Sequence, residues 1–592
     1  MSGAKLTQKI MFKLLPVQIL LSTVGVVNGI VSSLFAGNYV GVKAMTAVGL
    51  YSPVSQFLIA INSMLVGGSI ILCGEHLGRH DTERVRGTFS LDMVVSVLLA
   101  LAVIVLHVIF GVIGSAAGIT DDPEVNRMLC SYVFGQAVGI IPLLLGGQLS
   151  AFLSLDNQGG RTMTASLIYI AANFAMNYLF VAVMRLEAFG LAIAPAIGMW
   201  IYFLVQIPPF LKKDAVMRFS AKGLNWSEAK DILKIGVPGA ANNAYVALRG
   251  VIVNSLVLAY VGGTGISAFT AASSILSFFW QVPAGMLAVS RMMISVSVGE
   301  EDRRTLTDVM RIALFRFIPL TMAMSFVIIL LARPFTMMFF RDSADPVYMM
   351  TIWGFRILPL CMPLAIICTH FSCYWQASGR HLIVHILALL DGVIGVVTFT
   401  FLLIKDMGLN GLYVANVLTG LIAPVAVLIY SGICKKGFPK SLDELMAIPD
   451  GFGVPDEGRL EITMNSMESV IGVSNTLQEF CLQKGVDKRR AFLASLFLEE
   501  MAGNVVKHGF SADSKNHYVH VCAACKTDTL ILSIKDDCIP FDLNARLQMM
   551  DPDDLTKNIG IRIVSKMASD VHSQNILGLN VLTIRLDGKD AA

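Results

Sequence analysis

Three groups of residues near the C-terminus have types and spacing suited to handling a nucleotide. The first is Glu500-x-x-x-Asn504-x-x-Lys507-His508. Spacings of three and four place these four side chains on one face of a helix. A carboxylate, an amide oxygen and basic groups on one face could hold Mg2+, a water and a phosphate. The second group is Asp536-Asp537-Cys538-Ile539-Pro540-Phe541-Asp542, directly after a strand-like run. The third, Asn558-Ile559-Gly560-Ile561, opens a helix whose free amides favour phosphate.

The elements that must position these groups form an α/β domain over residues 457–592. "RLEITM" from Arg459 alternates as a strand does. Apolar periodicity then predicts helices at 466–483 and 488–508, strands at 517–525 and 529–535, a helix over 559–568, and closing strands at 571–577 and 580–586. Cys522-Ala-Ala-Cys525 falls within a strand, where residues three apart point to opposite faces, so it reads as structural rather than as a metal or redox pair. A Gly- and Pro-rich linker, 436–456, precedes the domain, with a short helical turn at 441–447.

The rest of the chain has a different character. Of 592 residues, 55% are hydrophobic and 15% charged, against roughly 25% charged in an ordinary soluble protein. The apolar excess ends near Lys435. The net charge of +3 does not suggest a nucleic-acid partner. Leu14 runs straight into a full-length span, which is not the pattern of a cleavable signal. Residues 14–433 divide into about twelve apolar spans, each near the roughly 20 residues a bilayer requires.

These spans contain an internal duplication. Tyr39 recurs as Tyr260, Gly78 as Gly299, Asp81 as Asp302, Pro142 as Pro363, and Gly190-Leu191 as Gly411-Leu412, all about 221 residues apart. Two six-helix lobes, 1–222 and 223–435, are expected to be related by a pseudo-two-fold axis with a cavity between them. Loops carrying Arg79, Arg84, Lys212, Lys213, Arg303, Arg304 and Lys435 contrast with the opposite loops of Lys43, Arg127 and Arg185. That asymmetry predicts a multi-pass inner- or plasma-membrane protein with both termini cytoplasmic. Charges at membrane depth face a partner or a wet cavity. Arg249 and Asp391 are the two deepest; either both are satisfied structural groups within a lobe, or Arg249 meets an anionic substrate while Asp391 titrates.

The repeated hairpin, the Gly78-Arg79-His80-Asp81 turn, "WQASGR" ending at Arg380, "GLAIA" from Gly190 and "GLYVA" from Gly411 resemble the multidrug and toxic compound extrusion (MATE) family. That resemblance covers roughly residues 8–435. It implies a twelve-helix antiporter in a lipid membrane, driven by Na+ or H+ and exporting small organic compounds. Where one branch of the family carries cation-binding acids in spans 1 and 5, this chain has Asn28 and Asn177, with Asn173 a turn earlier. Where another branch has a glutamate in span 7, this chain has Asn242, Asn243 and Arg249.

The C-terminal groups, in their order, resemble the GHKL (Bergerat-type) ATP-binding fold, nearest to serine kinases that act as anti-sigma factors. The resemblance implies an α/β sandwich that binds ATP and Mg2+. Within it Glu500 would activate water or an acceptor hydroxyl, Asn504 would ligate Mg2+, and Asp536 would bind adenine. Lys507, His508, Cys538, Phe541, Asn558 and Gly560 would complete the nucleotide site. Cys538 and Asn558 stand where glycine is usual. "GLNVLTI" near the end resembles the final strand of this group. Three functions follow: an antiporter with a regulatory or kinase-like ATP-binding domain; a membrane sensor controlling a serine/threonine kinase that acts on a protein partner of the anti-sigma-antagonist type; or a lipid-linked saccharide flippase, suggested by Arg249 alone. No Walker-type phosphate loop occurs in the sequence, which disfavours an ATP-driven pump of that class.

Overall fold

The computed structural model describes residues 3–35, 39–40, 42–79, 81–117, 122–212, 215–220, 224–340, 342–510, 517–526, 528–539 and 559–588. Up to Lys435 the chain is helical. Among the described residues ten helices are long and apolar enough to cross a membrane, and a bent pair supplies an eleventh. The helix Gly3–Phe35 occupies the position of the first expected span.

The bent pair, Pro123–Ala137 and Ile140–Leu155, turns by 47° within what the apolar pattern reads as one span. The cause is Pro142, which has no N–H to offer the carbonyl four residues earlier. That carbonyl, on Val138, instead accepts from Trp200 Nε1 at 3.0 Å. The second repeat makes the same repair. Pro363 frees the carbonyl of Pro359, which accepts from Ser325 Oγ at 2.7 Å, and a short 3-10 turn, Leu358–Leu360, marks the break.

The two repeats meet through small residues on Val42–Gly78 and Gln281–Gly299. Gly74 touches its own repeat equivalent, Ser295: a Cβ on Gly74 would lie 2.0 Å from Ser295 Oγ. One turn on, the contact is reciprocal. A Cβ on Gly78 would lie 2.3 Å from the Val296 carbonyl oxygen, and one on Gly299 would lie 2.2 Å from that of Glu75. The pseudo-two-fold axis therefore passes here, and the repeats are closed on each other on this side.

Residues 436–456 do not form a free connector. Met446 and Ile448 are fully buried, Trp375 Nε1 and Arg380 donate to the Met446 carbonyl, and Arg303 pairs with Asp443 at 2.7 Å.

The tail is an antiparallel sheet in the order β1-β2-β3-β5-β4, with β1 Arg459–Met464, β2 Val519–Cys525, β3 Thr529–Asp536, β4 Asp570–Ile576 and β5 Leu579–Asp587. Strand alternation divides its side chains. Val521, Leu532 and Ile584 pack under the helices Met467–Gln483, Lys488–Asn504 and Ile559–Met567 in one core. Leu579 and Val581, on the other face, belong to a core shared with the membrane helices.

Candidate nucleotide site and transport path

The nucleotide-type groups converge at one end of the sheet. Ser466 and Asp487 cap the two helices that cover it, each accepting from a backbone N–H in the first turn. Glu500 and Asn504 fall one turn apart near the end of Lys488–Asn504. The next turn, Val505–Gly509, is π-helical. Its wider winding departs from the single helical face expected from spacing, and Lys507 and His508 are exposed while Glu500 and Asn504 are half-buried.

Gly560 sits against Glu500: a Cβ there would fall 2.0 Å from Glu500 Oε2. With no Cβ at this position, the Glu500 side chain can take this pose. It places a carboxylate at the N-terminus of Ile559–Met567, where an anion is favoured. Gly509 makes room for Cys538, since a Cβ on Gly509 would lie 3.0 Å from its Sγ. Cys538 is not among the residues with positive φ, so replacing the usual glycine costs no left-handed backbone.

Asp536 ends β3 and is buried. Its Oδ1 accepts from the Cys538 N–H at 3.0 Å and from Asn580 Nδ2 at 2.9 Å. Burial raises its pKa, and these two donors partly offset the rise. Asn580 also reaches the Ile539 carbonyl at 3.0 Å. Sequence reasoning missed Asn580; it stands directly opposite Asp536 in the β3–β5 register. Asp537 accepts from Lys9 at 2.8 Å and from His517 Nδ1 at 3.0 Å. Burial alone would raise the Asp537 pKa, but the hydrogen bonds from Lys9 and His517 hold it below the ordinary carboxylate value. Phe541 and Asn558 lie outside the described residues. Cys522 and Cys525 do point to opposite faces: Cys522 lines a cleft with Lys535, and the free thiol of Cys525 is hydrogen-bonded to that of Cys481 on the helix side.

Residues 464–586 match the family described as "Histidine kinase-like ATPase domain", and residues 19–179 match the MatE family. The membrane half superposes on solved MATE structures. One is described as the outward-facing conformation of a multidrug resistance MATE family transporter, with a TM-score of 0.67 and 19% identity over 72% of this chain and 95% of that one. A second, MATE in complex with MaL6, gives a TM-score of 0.67 and 18% identity over 73% and 97%. The membrane half has the MATE fold and carries a MatE match, and the tail carries a histidine kinase-like ATPase domain match. Among curated relatives, "Probable multidrug resistance protein NorM" of Streptococcus pneumoniae is 23% identical over 262 residues, 43% of this chain and 56% of that one. "Probable multidrug resistance protein YoeA" of Bacillus subtilis is 22% identical over 300 residues, 49% and 64%. The chain thus spans between about half and two thirds of these relatives' length.

Within the MATE half, Asn173 and Asn177 are buried and bonded together, Asn177 Nδ2 donating to Asn173 Oδ1 at 2.8 Å. Asn177 Oδ1 has no partner among the described residues. The helix through Asn28 is described, but its side chain lies outside the described residues, as does that of Asn242. Arg249 and Asp391 are half-buried, and each is the other's charged neighbour. Asp92 was missed. It is fully buried, accepts from Ser69 Oγ at 2.5 Å, and leaves Oδ2 without a described partner. The signal was present, because an acid inside an apolar span is a candidate functional group. Glu228 was missed as well. It joins the repeats, accepting from Thr88 Oγ1 at 2.7 Å with His76 3.7 Å away.

Proposed function

We propose that this protein is a MATE-type secondary antiporter exporting small organic compounds, with a C-terminal domain that binds Mg–ATP and regulates transport. The observation that carries the nucleotide reading is the convergence of Glu500, Gly560, Cys538 and Asp536 at one end of the sheet. The donor set fits the group. Asn504 would hold Mg2+ through its amide oxygen, and Asp536 would accept from the adenine amino group. Bound Mg–ATP would supply the phosphoryl group; the protein's own contribution is Glu500 as base and Asp536 as the anchor for the ring.

The transporter reading rests on the fold, on the closed contact between the repeats, and on charges retained at membrane depth. With Asn28, Asn173 and Asn177 at the family's cation positions, proton coupling through Asp391 or Asp92 fits better than a carboxylate-bound Na+. Asp391 answers the charge of Arg249, which weakens the flippase reading. The basic loops lie on the side where the tail docks, in keeping with cytoplasmic termini in a plasma membrane. Proton-driven efflux of a fluorescent organic cation from vesicles, with and without Mg–ATP on the tail side, tests this function. No flux under either ion gradient would overturn it.

A second reading draws on Asp537, which ties the nucleotide site to Lys9 on the first membrane helix. Such a tie suits a sensor that controls phosphorylation of a protein serine. Phosphate transfer to a partner in the absence of flux would favour it.

A further inference from the structure

The sheet face turned away from its helices rests on the ends of both repeats, at the point where they touch. On the second repeat, Arg459 donates to both oxygens of Asp302, at 2.7 and 3.2 Å. Lys535 donates to Glu300 at 3.1 Å and Lys526 to Glu301 at 2.6 Å. On the first repeat, Gln574 Nε2 donates to the Leu77 carbonyl at 2.6 Å. Gly578, in the β4–β5 turn with φ of 86°, approaches Asn157 so closely that a Cβ would lie 2.5 Å from its Oδ1. Leu77 and Glu300 flank the Gly78–Gly299 crossing, so one rigid sheet bridges the two halves of a contact that must part if this side opens.

The charges are built into this contact. The side chains of Arg459, Glu300, Asp302 and Lys535 are 7–14% exposed. Desolvating four ionic groups is costly unless each finds its partner, and here the partners come from different domains. Asp81 occupies the same place in the first repeat as Asp302 in the second. Both cap the following helix, and Asp81 pairs with Arg84 of its own repeat at 3.3 Å. The docking charges are therefore a feature of one repeat, added to a cap common to both.

We propose that the ATPase domain is a clasp: its free sheet face holds the two repeats closed on the tail side, and this side opens only when the sheet lets go. The clasp rests on the transporter reading above and supplies its means of regulation. Lys9 connects the first membrane helix to Asp537, beside the adenine-site Asp536, so nucleotide occupancy and docking share one structural path. By reciprocity, whatever docking does to nucleotide affinity, nucleotide does to docking.

Hydrogen exchange on the full chain in lipid nanodiscs tests this. The double variant Arg459→Glu/Lys535→Glu faces Glu300 and Asp302 with like charge and should release the sheet. The expected result is exchange faster by roughly tenfold or more in segments 70–78 and 292–299, with amides of 488–504 still protected to show a folded tail. If the double variant unfolds the tail, Lys526→Glu, which disturbs only an exposed pair, is expected to give a smaller acceleration in the same two segments. Release of the sheet with the repeat ends exchanging at the wild-type rate would overturn the clasp, as would no change in either variant. Flux is measured in parallel. Accelerated exchange in a protein that moves no substrate would reject the transporter reading and leave the clasp standing.

Discussion

Arg459 reaches from the first strand of the ATPase domain to Asp302, which caps a helix of the membrane half. One carboxylate thus serves both halves: its Oδ1 also accepts from the Thr305 N–H at 2.9 Å, and its Oδ2 from Thr305 Oγ1 at 2.7 Å. Burial alone would raise the Asp302 pKa. The guanidinium of Arg459 and the ammonium of Lys535 outweigh burial and hold it well below the usual carboxylate range. Arg459→Ala leaves that buried charge with Lys535, 3.8 Å away, as its remaining cation, and breaking a buried pair typically costs about 3–5 kcal/mol. The midpoint of thermal unfolding of the full chain should fall accordingly. Arg459→Lys should recover part of the loss, since it keeps the charge but not the two-pronged geometry.

Docking should depend on pH through His520. It lies on the docked face, bonded to Thr463. Burial first, then Lys535 and Arg459, push its pKa from 6.5 down to about 4. Between these values the released state binds more protons than the docked one, so stability rises with pH from about 4 to 6.5 and levels off above. The full window corresponds to roughly 3 kcal/mol. Glu300, raised by burial, works in the opposite sense above the ordinary carboxylate value. Asp302 changes only at more acid pH. A denaturation series at stepped pH should show this slope in the wild type and a flatter one in His520→Gln.

Closure of the repeats should depend on Gly299. A methyl group there would overlap the Glu75 carbonyl oxygen, 2.2 Å away, and backbone in a packed helix crossing cannot yield cheaply. Gly299→Ala should therefore reduce flux severalfold while leaving nucleotide binding by the tail intact. Wild-type flux would show that the crossing has other ways to close.

Arg249 and Asp391 should matter jointly in transport. Neutralising one leaves the other facing an apolar span, at a cost of about 2.5–3.5 kcal/mol. Asp391→Asn and Arg249→Gln are each expected to lower flux about tenfold or more, the factor that 1.4 kcal/mol represents. If the pair is only structural, the double variant should regain folded protein and flux together. Asp92→Asn, tested beside them, should abolish the dependence on a proton gradient if Asp92 is the coupling group.

Much of this architecture was legible in the chain. Residues at a fixed spacing, such as Gly78 with Gly299 and Pro142 with Pro363, exposed the duplication. Alternation in "RLEITM" located β1 from Arg459 to Met464 as observed. Asp92 was readable as an acid inside an apolar span, but several other misses depend on a neighbour distant in sequence. The bend at Val138 required knowing that Trp200 would satisfy the freed carbonyl. Asn580 acquires meaning only through its register with Asp536. Periodicity divides β1 into two faces, but it cannot say that the face of Arg459 and Glu461 is covered by another domain. The π-helical turn over Lys507 and His508 likewise breaks a spacing rule that assumes a regular α-helix.

The central claim is that the tail is a working nucleotide site joined to a transporter, and Mg–ATP binding tests it most directly. Calorimetry on the purified full chain should show binding that Asp536→Asn weakens roughly ten- to a hundredfold, the effect of losing a charged hydrogen bond of about 1.5–3 kcal/mol. Asn504→Ala should weaken it mainly when Mg2+ is present, and Glu500→Gln should leave binding intact while removing any phosphate transfer. Folded full-length protein that binds no adenine nucleotide at millimolar concentration, or binds it equally well as Asp536→Asn, would contradict the account.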